Sequence, residues 1–143
     1  MWPMRVLIAD DSEVFVQRLA RALGEINGVE IVAHARTGAE ALEAISNLRP
    51  EVVILDIGMP EGSGIEVLES LKRRKATPFT IVLTNFAFAQ YRRRCLQLGA
   101  RFFFDKSAES AKVGEVLREL LQRVSEAPAD GFDGAGRKGP QAA

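Results

Sequence analysis

The chain has 143 residues, 47% of them hydrophobic, enough for one core and too little for two domains of ordinary size. Lysine plus arginine and aspartate plus glutamate both number 19, so no net charge draws the chain to nucleic acid or to an anionic membrane. The single cysteine, Cys95, excludes an internal disulfide, and the N-terminal apolar run Val6 to Ala9 is far too short for a signal-peptide core or a membrane span. A cytoplasmic protein is the expectation.

Hydrophobic period and punctuation then alternate between strand-like and helix-like segments, five times over. Arg5 to Asp10 is a short apolar run that stops at acids. From Ser12 the residues Phe15, Leu19, Ala22, Leu23 and Ile26 recur at helical spacing. Val29 to Arg36 predicts a second strand, and Thr37 with Glu40 forms a T-x-x-E capping box for a helix reaching about Leu48. Glu51 to Asp56 predicts a third strand, with β-branched residues on both faces, as suits a strand covered by helices on each side.

Ser63 and Glu66 form a second capping box, opening a helix that ends near Lys75. Phe79 to Thr84 predicts a fourth strand. Phe88, Tyr91, Cys95 and Leu98 then mark one face of a fourth helix, with Gly99 as its C-terminal stop. Arg101 to Phe104 predicts a short fifth strand, and Ser107 is the expected cap of a last helix striped by Val113, Val116, Leu117, Leu120, Leu121 and Val124. After that helix the residues are rich in Gly and Pro with one large hydrophobe, Phe132. The expected division is a domain over 1–125 and a disordered tail over 126–143. Five βα units with short loops imply a single α/β domain with helices on both faces of a parallel sheet of order 2-1-3-4-5.

In such a sheet ligands bind beyond the carboxyl ends of the strands, where the strand order reverses. That rule selects Asp10 and Asp11 after the first strand, Asp56 after the third, Thr84 at the end of the fourth and Lys106 after the fifth. Two carboxylates about 4 Å apart repel by roughly 4 kcal/mol at an effective dielectric near 20, so three need neutralising. A hard divalent cation, Mg2+ above all, suits several carboxylates and leaves positions for water and phosphate. Lys106 offers a point charge for an anion and Thr84 a hydroxyl donor, while Asp56 is the natural nucleophile because carboxylates form acyl phosphates.

These residues carry a resemblance. Asp10-Asp11, the segment Asp56-Ile57-Gly58-Met59-Pro60 continuing to Gly64, then Thr84, Gly99-Ala100, Phe103 and Lys106 together resemble the receiver domain of two-component response regulators, over roughly Arg5 to Val124. The resemblance implies a flavodoxin-like (βα)5 fold and a phosphorelay partner, either a histidine kinase or a histidine phosphotransfer protein. Its phosphohistidine would pass a phosphoryl group to Asp56 with Mg2+ bound. It further implies that Asp11, Asp56 and the backbone carbonyl of Gly58 ligate the metal directly and that Asp10 acts through water. Lys106 and Thr84 would hold the phosphoryl oxygens. Thr84 and the aromatic Phe103 would then move inward and remodel the face made by the fourth helix, fifth strand and last helix, for an unknown protein target.

Three positions depart from that family. Lys106 is followed by Ser107 where proline and a cis bond are usual, so a trans bond is expected. Asn85 stands where alanine or glycine is typical and is expected to alter the phosphoryl lifetime. Phe103 replaces a tyrosine seen in many members. Other features have ordinary readings: His34 as an edge-strand residue, Cys95 as a small buried hydrophobe, and Arg92 to Arg94 as a solvated helix face or a docking patch for an acidic partner.

Two readings from other classes compete. A small phosphatase resembling the haloacid dehalogenases would carry a second aspartate two residues after the nucleophile, where this chain has Gly58. A receiver-like binding module that never turns over phosphate would be expected to lose an acid or the lysine. With no output domain expected after the last helix, the signal would leave by protein contact, from an effector or from an intermediate that passes phosphate onward.

Overall fold

The computed structural model describes residues 3–75 and 78–126. The tail expected over 126–143 lies outside them, apart from Glu126, which closes the last helix. In chain order the elements are β1 (Met4–Ala9), α1 (Glu13–Gly24), β2 (Val29–Ala35), α2 (Gly38–Leu48), β3 (Val52–Leu55), α3 (Gly64–Arg74), β4 (Phe79–Thr84), α4 (Ala89–Gln97), β5 (Phe102–Asp105), α5 (Lys106–Glu109) and α6 (Ala111–Glu126). All strand pairs are parallel, and the order is β2-β1-β3-β4-β5, as the βα alternation implies.

The two-residue period of the strands splits the core into two layers. Leu7, Ala9, Val53, Leu55, Val82 and Phe103 point to one face, where Ala41, Ile45, Leu68 and Cys95 of α2, α3 and α4 meet them. Val6, Ile8, Ile54, Ile81, Leu83 and Phe104 point to the other, against Val16, Leu19 and Leu23 of α1 and Val113 and Leu117 of α6. Both faces of β3 are covered, so all four of its residues are buried. The register pairs Ala9 with Leu55 and Thr84 with Asp105, which brings the strand ends that carry polar residues to one edge of the sheet.

Several local readings change. The Ser63–Glu66 box at α3 makes both of its reciprocal bonds. At α2 the Thr37 hydroxyl accepts the Glu40 N–H, but the Glu40 carboxylate accepts the N–H of Arg36 instead of Thr37, so only half the box forms. Ser107 is not the cap of the last helix. Asp105 caps a single turn, α5, by accepting the Ser107 N–H at 3.0 Å, and α6 starts only at Ala111. The stripe on α4 also stops short: Cys95 and Leu98 are buried, Tyr91 is half-buried and Phe88, which precedes the helix, is 56% exposed.

Leu117 of α6 is fully buried in the apolar layer that α1 and α6 form against the sheet. Leu117→Ala is expected to lower the unfolding free energy by about 2–5 kcal/mol, read from the midpoint of chemical denaturation with an unchanged slope.

Candidate functional site

The carboxyl edge of β1 and β3 is where the acids gather. The backbone N–H of Asp10 donates to Ala35 O at 2.9 Å, and that of Asp56 donates to Ala9 O at the same length, so both acids extend the ladder by one residue. Adjacent strands lie about 4.8 Å apart, which sets how close two such residues come. One carboxylate oxygen from each of Asp10, Asp11 and Asp56 lies within 4.8 Å of the others. Asp10 and Asp56 are buried and Asp11 is exposed, one residue before Ser12, the N-cap of α1.

Turns aim the buried pair. Asp10 Oδ1 accepts the Ser12 N–H at 2.8 Å, and Asp56 Oδ1 accepts the Gly58 N–H at 3.1 Å. The second oxygen of each faces Lys106, whose Nζ lies 2.7 Å from Asp10 Oδ2 and 3.2 Å from Asp56 Oδ2. Lys106 is the first residue of α5, and its bond to Ser107 is trans, as expected. The lysine side chain is 9% exposed.

Burial pushes the Asp10 carboxyl above its ordinary value, opposed by the Lys106 and Ser12 hydrogen bonds and reinforced by the charge of Asp56. Burial alone would lower Lys106. The Asp10 hydrogen bond and the Asp56 and Asp10 charges outweigh it, so the ammonium is held above its ordinary value. With three carboxylates against one ammonium the cluster keeps an excess of negative charge. A donor set made only of hard oxygens fits a hard divalent cation, and a carboxylate beside an ammonium can attack an electrophilic phosphorus.

The remaining sequence candidates sit around this centre. Thr84 is fully buried at the end of β4, and its hydroxyl oxygen accepts the Phe86 N–H at 3.1 Å. Asn85, between them, is exposed. Phe103 is only 4% exposed, packed in the layer with Val82 and Leu98, and its carbonyl accepts from Arg92 Nη1 at 3.0 Å. Its ring therefore already lies inside, and it is the neighbouring Phe102 that is exposed. Arg94 pairs with Glu69, so of the three consecutive arginines two are engaged within the domain.

Sequence reasoning missed three neighbours. His34 is more than an edge-strand residue: its Nε2 lies 2.8 Å from the Asp10 carbonyl oxygen, and because a carbonyl only accepts, this nitrogen carries the proton. The Phe86 ring lies against Gly58, where a Cβ would meet its Cε2 at 2.4 Å. Phe15 of α1 sets its ring face 4.4 Å from Lys106 Nζ. The only signal available in the sequence was aromatic identity close to the acids, which core packing explains equally well.

A doubly wound α/β domain with an acid cluster at its switch point is the class that fold and site define. The family model of the response regulator receiver domain matches residues 6–118. A putative transcriptional regulator of Pseudomonas aeruginosa is 42% identical over 117 residues, covering 82% of this chain and 53% of that protein. The receiver domain of a putative response regulator, NarL, from Mycobacterium tuberculosis superposes with a TM-score of 0.77 at 26% identity, covering 85% of this chain and 98% of that one. A chain in the CheX–CheY–BeF3–Mg2+ complex of Borrelia burgdorferi superposes with a TM-score of 0.75 at 30% identity, over 84% of this chain and 90% of that one. The chain belongs to the response regulator receiver domain family of two-component signalling. It spans about a third to three fifths of the length of the curated relatives it matches.

Gly64, at the start of α3, closes against this site: a Cβ there would lie 2.4 Å from Asp56 O and 2.8 Å from Ile57 Cα. Backbone cannot swing away as a flexible side chain can. Gly64→Ala is expected to cost about 1–3 kcal/mol in denaturant unfolding and to shift amide NMR signals most strongly at Asp56 to Gly58.

Proposed function

We propose that this receiver domain accepts a phosphoryl group on Asp56 from the phosphohistidine of a histidine kinase or a histidine phosphotransfer protein, and acts as a phosphorelay switch in the cytoplasm. The observation that carries this reading is the Lys106 ammonium set against Asp10 and Asp56, with Asp11 within the same 4.8 Å cluster. Among the described residues no helix is long and apolar enough to cross a membrane.

In the reaction an Asp56 carboxylate oxygen forms a bond to phosphorus while the phosphorus–nitrogen bond of the donor breaks. The electron pair stays on the imidazole nitrogen, which takes up a proton. Lys106, already beside Asp56, can follow the negative charge onto a phosphoryl oxygen without leaving the site. Thr84 supplies a hydroxyl hydrogen bond to another. Asp11, Asp56 and the Gly58 carbonyl would hold Mg2+, with Asp10 acting through water; when bound, the ion offsets charge on the transferring group. The Borrelia complex, which contains beryllofluoride and Mg2+, supports magnesium as the ion. Hydrolysis later returns Asp56 and inorganic phosphate, so the domain catalyses both its own modification and its slow reversal.

Signalling follows from Thr84. Its oxygen now accepts the Phe86 N–H, so turning toward a phosphoryl group loosens the loop that carries Phe86 and Phe88, 47% and 56% exposed. With the Phe103 ring inside, the face formed by α4, β5 and α6 is the surface we assign to a protein target. The named relatives include transcriptional regulators, so an output that reaches DNA through further chain is the second reading.

Incubation with Mg2+ and acetyl phosphate is expected to add one phosphoryl mass to the native chain, none to Asp56→Asn and none when a chelator is present. An adduct that persists in Asp56→Asn sinks the assignment. Asn85, exposed beside Thr84, is expected to set the lifetime: Asn85→Ala changes the rate of adduct loss, and an unchanged rate removes that role.

A further inference from the structure

Lys106 is a compact charge on a flexible four-carbon stem, and such a side chain has many rotamers to choose from. In this chain something beyond the acids confines it. The backbone of Lys106 is fixed by α5, where the Asp105 carboxylate accepts both the N–H and the hydroxyl of Ser107, at 3.0 and 2.8 Å. Asp105 N–H in turn donates to Glu109 Oε1 at 2.9 Å. The ammonium also meets α1, and the residue that α1 presents to it is an aromatic ring.

We propose that Phe15 is a positioning residue for phosphoryl transfer, holding the Lys106 ammonium on its ring face so that the charge stays aimed at Asp10 and Asp56. The Nζ atom itself, not only the methylene stem, lies 4.4 Å from the ring centroid, inside the roughly 6 Å range in which a ring face attracts a cation. An aliphatic side chain at position 15 would pack against the stem equally well but would offer the charge nothing. Phe15 is half-buried beside the layer of α1 and α6, and its N–H donates to the Ser12 cap at 3.4 Å, so the ring is carried by a capped first turn. That same turn begins one residue after Asp11. One short segment, Asp10 to Phe15, thus supplies two acids of the cluster and the ring that aims its cation.

The contact is independent of the phosphorelay reading; its consequence for rate rests on that reading. Replacement of Phe15 by phenylalanines of increasing fluorine content weakens the ring's negative face with little change in shape, which separates charge attraction from packing. Two readouts are taken on the full chain: the rate of adduct formation with acetyl phosphate and Mg2+, and the Lys106 ammonium signal by NMR, which the ring current displaces. A graded fall in rate with fluorination is expected, reaching ~10-fold in Phe15→Leu, while Phe15→Tyr stays within ~2-fold of native. The Lys106 signal is expected to lose its displacement in Phe15→Leu and to exchange faster across the fluorinated series. A rate and signal that ignore fluorination, whether or not Phe15→Leu is slow, would overturn the proposal, because packing alone would then account for the ring. If the native chain forms no adduct, the phosphoryl reading fails and the Lys106 signal alone decides for or against the contact.

Discussion

One ammonium lies against two carboxylates from different strands, and the rest of the site depends on that contact. Lys106 is 96 residues from Asp10 and 50 from Asp56 along the chain, so the contact exists only if β1, β3 and β5 end at the same edge of one sheet. Both carboxylates are buried, and burial pushes the Asp10 carboxyl above its ordinary value while the Lys106 hydrogen bond opposes that shift. The ammonium offsets their charge, at 2.7 Å from one and 3.2 Å from the other, on a pair that can take a cation or attack phosphorus. Strand order, strand length and the α5 turn are all means of delivering one Nζ to one point.

The turn shows how that delivery works without the proline usual after this lysine. α5 is only four residues long, too short to be stable by its own hydrogen bonds, and it is held from outside. Asp105 caps it, Glu109 closes back on the Asp105 N–H, and the Ser110 hydroxyl donates to the Lys106 carbonyl. Ser107 belongs to this arrangement because both its donors end on the Asp105 carboxylate. With Ser107 in this place the segment is a capped helical turn, and the lysine reaches both carboxylates from it.

Most of the fold was legible because its signals are periodic and reinforce one another. β3 reads as a doubly covered strand from Val52 to Leu55 alone, and the boundaries of α3 follow from Ser63, Glu66 and the basic end at Lys75. The acids and Lys106 were legible for a topological reason, since each follows a strand at the carboxyl edge of the sheet, where this architecture binds ligands. What escaped notice is short or non-periodic. One turn of helix over Lys106 to Glu109 has no period to detect, and Asp105 is at once the last residue of β5 and a cap. Glu40 bonds one residue earlier than the capping-box pattern expects, because a side-chain partner is chosen by geometry that spacing only approximates. Phe15 was placed correctly on the inner stripe of α1, but a stripe cannot tell a ring that touches a cation from one that touches leucine.

The mobile part of such a switch has to be cheap to move, and the structure separates cheap from costly groups around Thr84. Phe103 is deep in the layer shared by α3 and α4, with its carbonyl tied to Arg92, so driving its ring outward would expose most of its apolar area. Phe86 and Phe88 are half-exposed already, and repositioning them changes little buried area. Phe86 is held at the site by its N–H on the Thr84 oxygen and by its ring against Gly58. A new anion competing for that hydroxyl thus acts on a loop with small opposing terms, and a ligand shifts an equilibrium only by its differential contacts with the two states. A single hydrogen bond, worth about 0.5–1.5 kcal/mol net, is then a sizeable share of the bias at this loop, whereas it would be negligible against the buried ring. Under the function proposed, the gate of the switch would therefore be the Thr84–Phe86 bond, with the buried Phe103 ring as the wall that the loop moves against.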